Sequence, residues 1–522
     1  MNGSSNGFAF PAFPPDLPPT GPADSEIIIL GAGLSGLCAG LVLARGGYDV
    51  TILEARERPG GRVETIREGL TPGLYADVGA AFVPGFHTYT VGYVREAGLD
   101  LKPVEDLDST AVDYLRGTLV GDPGAPNATW PVPLSTAERK TTPNEWFKKY
   151  LGEGFGAVLD TTPRAEGWPG AGLDGLADKS LAALLAARGA SQGAVDILRL
   201  GYADLWGDGV DTYSSLVLLR DMAFIQSGLA TRKVGPAAQG PRAAHQLRHP
   251  RSDPADSTSK PKQSRFDPAA SYRIPGGTHQ LPDWFARELG PRVRYRSPVV
   301  RIERDDASVR VYCEGHDGPF VGQRVICTLP FPVLQRVEVD PPFRIEKQRA
   351  IRGLPHTSVT RTFLEFETRY WEKDGRTGLA STDLPGPGVG IPGLWIENAT
   401  PLAEPTAGLL DCYIVGPWAR WLEPQPVEAR VAWALEQVEK VFPGARSAFS
   451  GRGVSKSWGA DPWAIGGYCW FRPGEIAGIM PHLASPDGRV HFAGDHTSVL
   501  PGWMQGALES GVRVAHEVAG AG

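Results

Sequence analysis

The amino-acid sequence predicts an α/β chain of two domains, and three observations lead there. The chain has 522 residues, 42% hydrophobic and 21% charged, enough to bury a large core and more than one ordinary domain needs. An apolar run that starts at Glu26 passes from β-formers through a glycine turn into a small-residue helix pattern and back to β-formers before Glu54. Further β-rich stretches recur far down the chain, at "VICTLPFPVL", "SVTRTFLEFETRYW", "GLLDCYIVG" and "RVHFAGD".

The first element is the most specific. In "EIIILGAGLSGLCAGLVLARGGYDVTILEA", Ile27 to Leu30 are β-formers, followed by Gly31, Gly33 and Gly36 in GxGxxG spacing. Leu37, Leu41 and Leu43 with the small Ala39 and Gly40 give a helix able to pack tightly on a sheet, and Val50 to Leu53 form the next strand. Glu54 lies 23 positions after Gly31, the reach of one Rossmann-like βαβ unit. Gly31 permits the tight turn, Gly33 lets backbone approach a pyrophosphate, and Gly36 permits close helix–strand contact. The helix N-terminus offers free N–H groups and a positive dipole end, and Glu54 can accept ribose hydroxyls. A dinucleotide site is the expectation.

Bulk properties narrow the class. A net charge of −7 argues against a nucleic-acid partner, whose binders carry a basic face. Five scattered cysteines show no CxxC and no zinc-site pairing with histidine, so free thiols in a reducing, cytoplasmic setting and no metal are expected. Residues 1–24 read as a Pro/Gly-rich disordered lead without the basic region of a signal peptide. The apolar run after Glu26 is interrupted by its glycines, and "RVAHEVAGAG" is no tail anchor, so no membrane segment is expected. Residues 230–269 are rich in Pro, Ser, Arg and Lys and read as a mobile loop insertion. His245 and His249 within it are spaced as a metal pair on a helix, but the surrounding prolines and glycines favour a solvated loop.

After Glu54 comes "ARERPGGRVET", a second basic-glycine element. Together, "GAGLSGL" and "LEARERPGGRVET" resemble the N-terminal fingerprint of the flavin-containing amine oxidases, which include monoamine, polyamine and L-amino-acid oxidases. "YRIPGGTHQLPDWFAREL", "VICTLPFPVL" and "RVHFAGDHTSVLPGWMQGALESG" resemble later blocks of the same family. The resemblance implies a two-domain flavoprotein. Its discontinuous FAD-binding domain would take residues 25–85, 270–345 and 450–522, and an α+β substrate-binding domain residues 86–229 and 346–449. It implies FAD contacts at Gly31, Gly33, Leu34, Ser35, Gly36, Glu54, Ala55, Arg56, Gly60, Gly61, Arg62, Val299, Gly494, Asp495, Trp503 and Met504.

The resemblance also implies the chemistry: a hydride leaves the amine α-carbon for flavin N5, the imine hydrolyses to a carbonyl and ammonia, and O2 becomes hydrogen peroxide. Tyr468 and Trp503 would flank the flavin, with Trp458 as a further wall; without the resemblance they are ordinary core aromatics. Arg361 stands where relatives place a water-holding lysine, and a surface strand arginine is its plain reading. Phe82 occupies the position where L-amino-acid oxidases hold a substrate carboxylate with arginine, whereas His87 and Trp503 look like that branch. The missing charge favours an amine as substrate, with an L-amino acid as the alternative and carbon–carbon desaturation as a third chemistry. The tether cysteine of monoamine oxidases falls on Tyr468, and Cys469 lies one residue later, so non-covalent FAD is expected, with Cys469 as pocket wall. The expected partners are a small amine and O2, and a homodimer is allowed.

Overall fold

Ile27, Ile28, Ile29 and Leu30 are each at most 1% exposed, as a strand covered on both faces must be. The computed structural model describes residues 17, 26–104, 111–125, 128–159, 173–200, 207–221, 267, 270–384, 395–400 and 406–520. Of the expected N-terminal lead and the 230–269 insertion, only Leu17 and Asp267 are among them; His245 and His249 lie outside the described residues.

Glu26–Leu30 is the middle of a five-stranded, all-parallel sheet. Asp49–Leu53 and then Val293–Arg294 lie on one side, Arg324–Cys327 and then Val490–Phe492 on the other. Segments from three distant parts of the chain therefore share one sheet. The helix Leu34–Arg45 crosses over the sheet, with Leu34 through Leu43 all buried. It lies against the helix Met504–Gly520, where the Ser35 and Ser510 hydroxyls meet at 3.0 Å. Small residues set these distances. A Cβ on Gly36 would lie 2.1 Å from the Gly31 carbonyl oxygen, and one on Gly511 would lie 2.5 Å from that of Ser35.

A second, seven-stranded sheet runs in the order Phe449–Ser457, Val359–Phe366, Gly408–Val415, Trp395–Asn398, Ala380–Thr382, Val112–Leu115, Thr118–Gly121. Val359–Phe366 and Gly408–Val415 are antiparallel neighbours buried at every position. Their side chains alternate between two cores. Leu364, Phe366, Leu410, Cys412 and Ile414 pack with Ala434, Val438 and Val441 of the helix Val427–Val441. Val359, Phe363, Leu409, Tyr413 and Val415 face the opposite way, with Val454 and Trp458.

Two segment boundaries differ from the sequence expectation. Phe449–Ser457, expected with the cofactor segment from residue 450, pairs with Val359–Phe366 in the seven-stranded sheet. The helix Thr88–Glu96, expected in the substrate segment, packs Tyr89, Val91, Tyr93 and Val94 into the core around the helix Leu34–Arg45. Its amphipathic period shows that it has a buried face but not which neighbour covers it. Among the described residues, no helix is long and apolar enough to cross a membrane, and no group of three or more His, Cys, Asp or Glu could hold a metal ion.

The glycine contacts separate two substitutions on one helix. Gly36→Ala drives a methyl into a backbone carbonyl and is expected to cost about 3 kcal/mol or more. Gly40→Ala meets the movable Ile52 Cδ1 at 2.6 Å and gains about 1 kcal/mol of helix propensity. Thermal unfolding of the two variants should show Gly36→Ala well below Gly40→Ala; equal melting temperatures would contradict this packing.

Candidate active site

Gly31, Glu54, Thr328 and Gly494 each stand one or two residues beyond the C-terminal end of a parallel strand, and all four line one cavity of about 280 Å³. Open α/β sheets bind ligands at this end. Val359, Arg361 and Tyr413 of the seven-stranded sheet line the same cavity.

The glycine segment builds one end. Gly31 takes φ +98° and donates its N–H to Leu53 O at 2.8 Å, turning the chain from strand to helix. Gly33 is the N-cap of the helix Leu34–Arg45 and supplies no capping side chain. A Cβ on Gly33 would meet nothing within 4 Å, and one on Gly61 only the Cα of Gly33, at 3.5 Å. Backbone and an uncapped helix start thus face open space. The Glu54 carboxylate accepts from Ala32 N–H at 2.7 Å and Arg56 N–H at 2.9 Å, one bond on each oxygen. Each oxygen can accept further bonds from hydroxyls. Burial pushes this carboxyl up, and the two backbone bonds oppose the shift. An acid for hydroxyls, free helix N–H groups and glycines without Cβ atoms form a cradle that fits a dinucleotide such as FAD.

Arginines tie the cradle to the C-terminal segments. Arg56 grips Asp461 through two bonds, at 2.6 and 3.0 Å. Burial raises the Asp461 carboxyl, but the bonds from Arg56 and Lys456 bring it down to about 2. Arg62 donates to Gly467 O at 2.5 Å and pairs with Asp495. Burial pushes the Asp495 carboxyl up, but the Arg62 charge, together with the bonds from Gly502 N–H and Arg62, outweighs it, so it stays below its ordinary value.

The other end is aromatic. Phe82, Tyr413, Trp458, Tyr468 and Trp503 line it together with Cys469. Gly502 packs against Tyr468, where an added Cβ would lie 3.2 Å from the tyrosine Cβ. Trp458 donates its indole N–H to Val78 O at 2.8 Å, so its polar atom is satisfied while its ring serves as wall. Cys469 is 2% exposed, and burial pushes its thiol well up.

The remaining expected positions divide clearly. Leu34, Ser35, Ala55, Arg56, Gly60, Gly61, Arg62, Asp495 and Met504 line the cavity. Gly36 lies outside the lining, at the helix–strand contact, and Val299 begins a strand paired with Cys313 and also lies outside it. His87, expected as a pocket residue, is not among the lining residues and sits edge-on to Trp503, ring centroids 5.1 Å apart. Burial lowers its pKa to about 3, so the imidazole is neutral. The surface reading of Arg361 is also overturned: the residue is 6% exposed, pairs with Asp411 and donates to Gly79 O. Sequence reasoning missed Tyr213, Asp221, Thr328 and Tyr413. Thr328 directly follows the recognised strand "VIC" and bonds Leu30 O through Oγ1 at 2.7 Å, so its place was within reach. Tyr213 and Asp221 stand in no motif.

A model of the family described as flavin containing amine oxidoreductase matches residues 34–519. The chain belongs to this family. The family carries a flavin, which the cradle fits. The chain is 28% identical over 503 residues to the putative L-amino-acid oxidase YobN of Bacillus subtilis (strain 168), covering 94% of each chain. It is 26% identical to the L-amino-acid oxidase of Vipera ammodytes ammodytes, covering 94% of this chain and 92% of that one. Among solved structures, cyclohexylamine oxidase from Brevibacterium oxydans IH-35A superposes with a TM-score of 0.74 at 21% identity, over 95% of this chain and 99% of that one. A putrescine oxidase bound to putrescine gives 0.72 at 20% identity over the same shares. These two share the fold.

The cradle makes a prediction that separates binding from folding. Gly33 has φ −70° and open space at its Cβ position, so Gly33→Ala should fold as the wild type does. Its methyl would enter the cradle, and flavin affinity should fall by about tenfold or more. Titration of the apoprotein with FAD, beside an unchanged apoprotein melting temperature, tests this; unaltered affinity would remove Gly33 from the contact surface.

Proposed function

We propose that the chain is an FAD-dependent amine oxidase that oxidatively deaminates an amine without a carboxylate, with O2 as acceptor and hydrogen peroxide as product. One observation carries the choice of amine. Among the described residues, the lining holds three arginines, and each already faces a carboxylate of the chain: Arg56 with Asp461, Arg62 with Asp495, Arg361 with Asp411. The lining acid Asp221 is likewise matched, by Arg220 at 2.9 Å. A substrate carboxylate would lose its water and meet no unmatched cation, which is costly. An amine can enter uncharged, and aromatic walls favour that form.

Bound FAD would supply the two-electron acceptor. In this reading Tyr468 and Trp503 hold the amine and exclude water, Trp458 and Phe82 complete the wall, and Arg361 holds the bend at Gly79. Glu54, Gly33 and the start of the helix Leu34–Arg45 would hold the nucleotide, and Met504 would open the second helix towards the isoalloxazine. The cofactor domain centres on the parallel sheet and the substrate domain on the seven-stranded sheet, with Phe449–Ser457 assigned to the latter. Five free, buried thiols support work in a reducing compartment. A second reading, L-amino-acid oxidation, is favoured by the names of the curated relatives.

Anaerobic mixing with amino acids and their decarboxylated amines decides between the readings. Amines should bleach the flavin, and each matched amino acid should do so much more slowly; faster bleaching by amino acids would reverse the assignment. FAD binding is non-covalent in this proposal, because burial keeps the Cys469 thiol protonated and the thiolate is the reactive form. Acid precipitation should leave yellow flavin in the supernatant, and a yellow pellet would contradict it.

A further inference from the structure

The paired arginines differ in what surrounds them. Arg56 and Arg62 belong to the glycine-arginine element beside the nucleotide cradle. Arg361 alone lies on the seven-stranded sheet, at the aromatic end. Its guanidinium carbon stands 5.2 Å from the Phe363 ring centroid and 5.5 Å from that of Tyr413. It donates to the carbonyl of Gly79, and the run from Val78 to Phe82 lines the cavity. A cation therefore stands in the substrate wall itself.

Asp411 lies behind it. In the antiparallel register Arg361 is opposite Tyr413, and Phe363 is opposite Asp411, so the two charged residues are diagonal neighbours on one face. Arg361 Nε donates to Asp411 Oδ2 at 2.9 Å, and Nη2 donates to the same oxygen. Asp411 is 1% exposed and does not line the cavity.

We propose that Asp411 is the residue that makes this an amine pocket rather than an amino-acid pocket, by neutralising a guanidinium that would otherwise attract a substrate carboxylate. The inference rests on the amine reading above and extends it to a residue that never touches substrate. The effect is electrostatic: the negative charge of Asp411 offsets the field of Arg361 in the cavity, so an incoming carboxylate meets little net attraction. Asp411 is a specificity-positioning residue and takes no part in the reaction itself.

The test uses flavin-loaded enzyme with benzoate as anionic probe and benzyl alcohol as neutral control, both read by perturbation of the flavin absorbance. Asp411→Asn keeps shape and a hydrogen-bond acceptor for Arg361 while removing the charge. It should bind benzoate about tenfold more tightly than wild type, or more, with benzyl alcohol unchanged. The KM for an amino acid relative to its decarboxylated amine should fall by a similar factor. Unchanged benzoate affinity in a flavin-loaded Asp411→Asn enzyme would overturn the proposal. If that variant fails to retain flavin, the apolar double substitution Arg361→Met with Asp411→Leu decides, because well-packed apolar residues commonly replace a buried ion pair without loss of fold. A neutralised pair contributes nothing to anion binding, so the double variant should match the wild-type ratio of benzoate to benzyl alcohol affinity; benzoate binding weakened about tenfold relative to benzyl alcohol would show that Arg361 already holds carboxylates and would overturn the proposal. Failure of the amine reading shows separately, as a wild-type preference for amino acids in the matched pairs.

Discussion

Arg62 is the point on which the cavity's assembly depends. Its guanidinium bonds the carbonyl of Gly467 and the carboxylate of Asp495, 405 and 433 residues further along the chain. Asp495 in turn accepts from Gly502 N–H at 2.9 Å. Each of these glycines immediately precedes one member of the aromatic pair: Gly467 before Tyr468, Gly502 before Trp503. One half-buried ionic cluster therefore sets both rings relative to the nucleotide cradle. Such clusters contribute little net stability, since desolvation consumes most of the Coulombic gain, but losing one partner costs several kcal/mol. The cluster's value lies in fixing one arrangement of segments that are remote in sequence.

That division between local and remote contacts explains what was legible beforehand. The βαβ unit was readable because its logic spans few residues: Gly31 turns, Gly36 allows packing, Glu54 ends the strand, and each requirement leaves a residue type at a set spacing. Tyr468 and Trp503 were readable through their resemblance to family blocks. The contact of His87 with Trp503 was not, because both sequence positions are compatible with a wall or a support. The pairing of Arg361 with Asp411 was equally hidden. It requires the register of two strands whose connection contains no signal for that register, and a slip of one residue would place the two on opposite faces. The position of Phe449–Ser457 was missed for a related reason: a strand's own residues do not name the sheet it joins.

The comparisons leave substrate choice to the site. Relatives named for L-amino acids cover the same length of chain as folds named for amines, so architecture cannot decide between them. What differs between the two substrates is one carboxylate, and the physical question is whether the cavity offers it a counter-charge.

Seen as an electrostatic object, the cavity has two contrasting ends. The nucleotide end keeps charge close at hand: helix N–H groups, Glu54, and arginines held in fixed directions by Asp461 and Asp495. The aromatic end suppresses it. His87 behind Trp503 is neutral, the Cys469 thiol is held protonated, and Arg361 is matched by a carboxylate outside the cavity. The contrast suits the two tasks. Phosphates need oriented donors, whereas an amine must shed its proton before its α-carbon can give up a hydride, and an uncharged aromatic wall makes the protonated form the costlier one. Placing Asp411 behind the wall, rather than removing Arg361 from it, keeps the hydrogen bond that anchors Gly79 while silencing the charge. The strand thus retains its structural tie without turning the pocket towards anions.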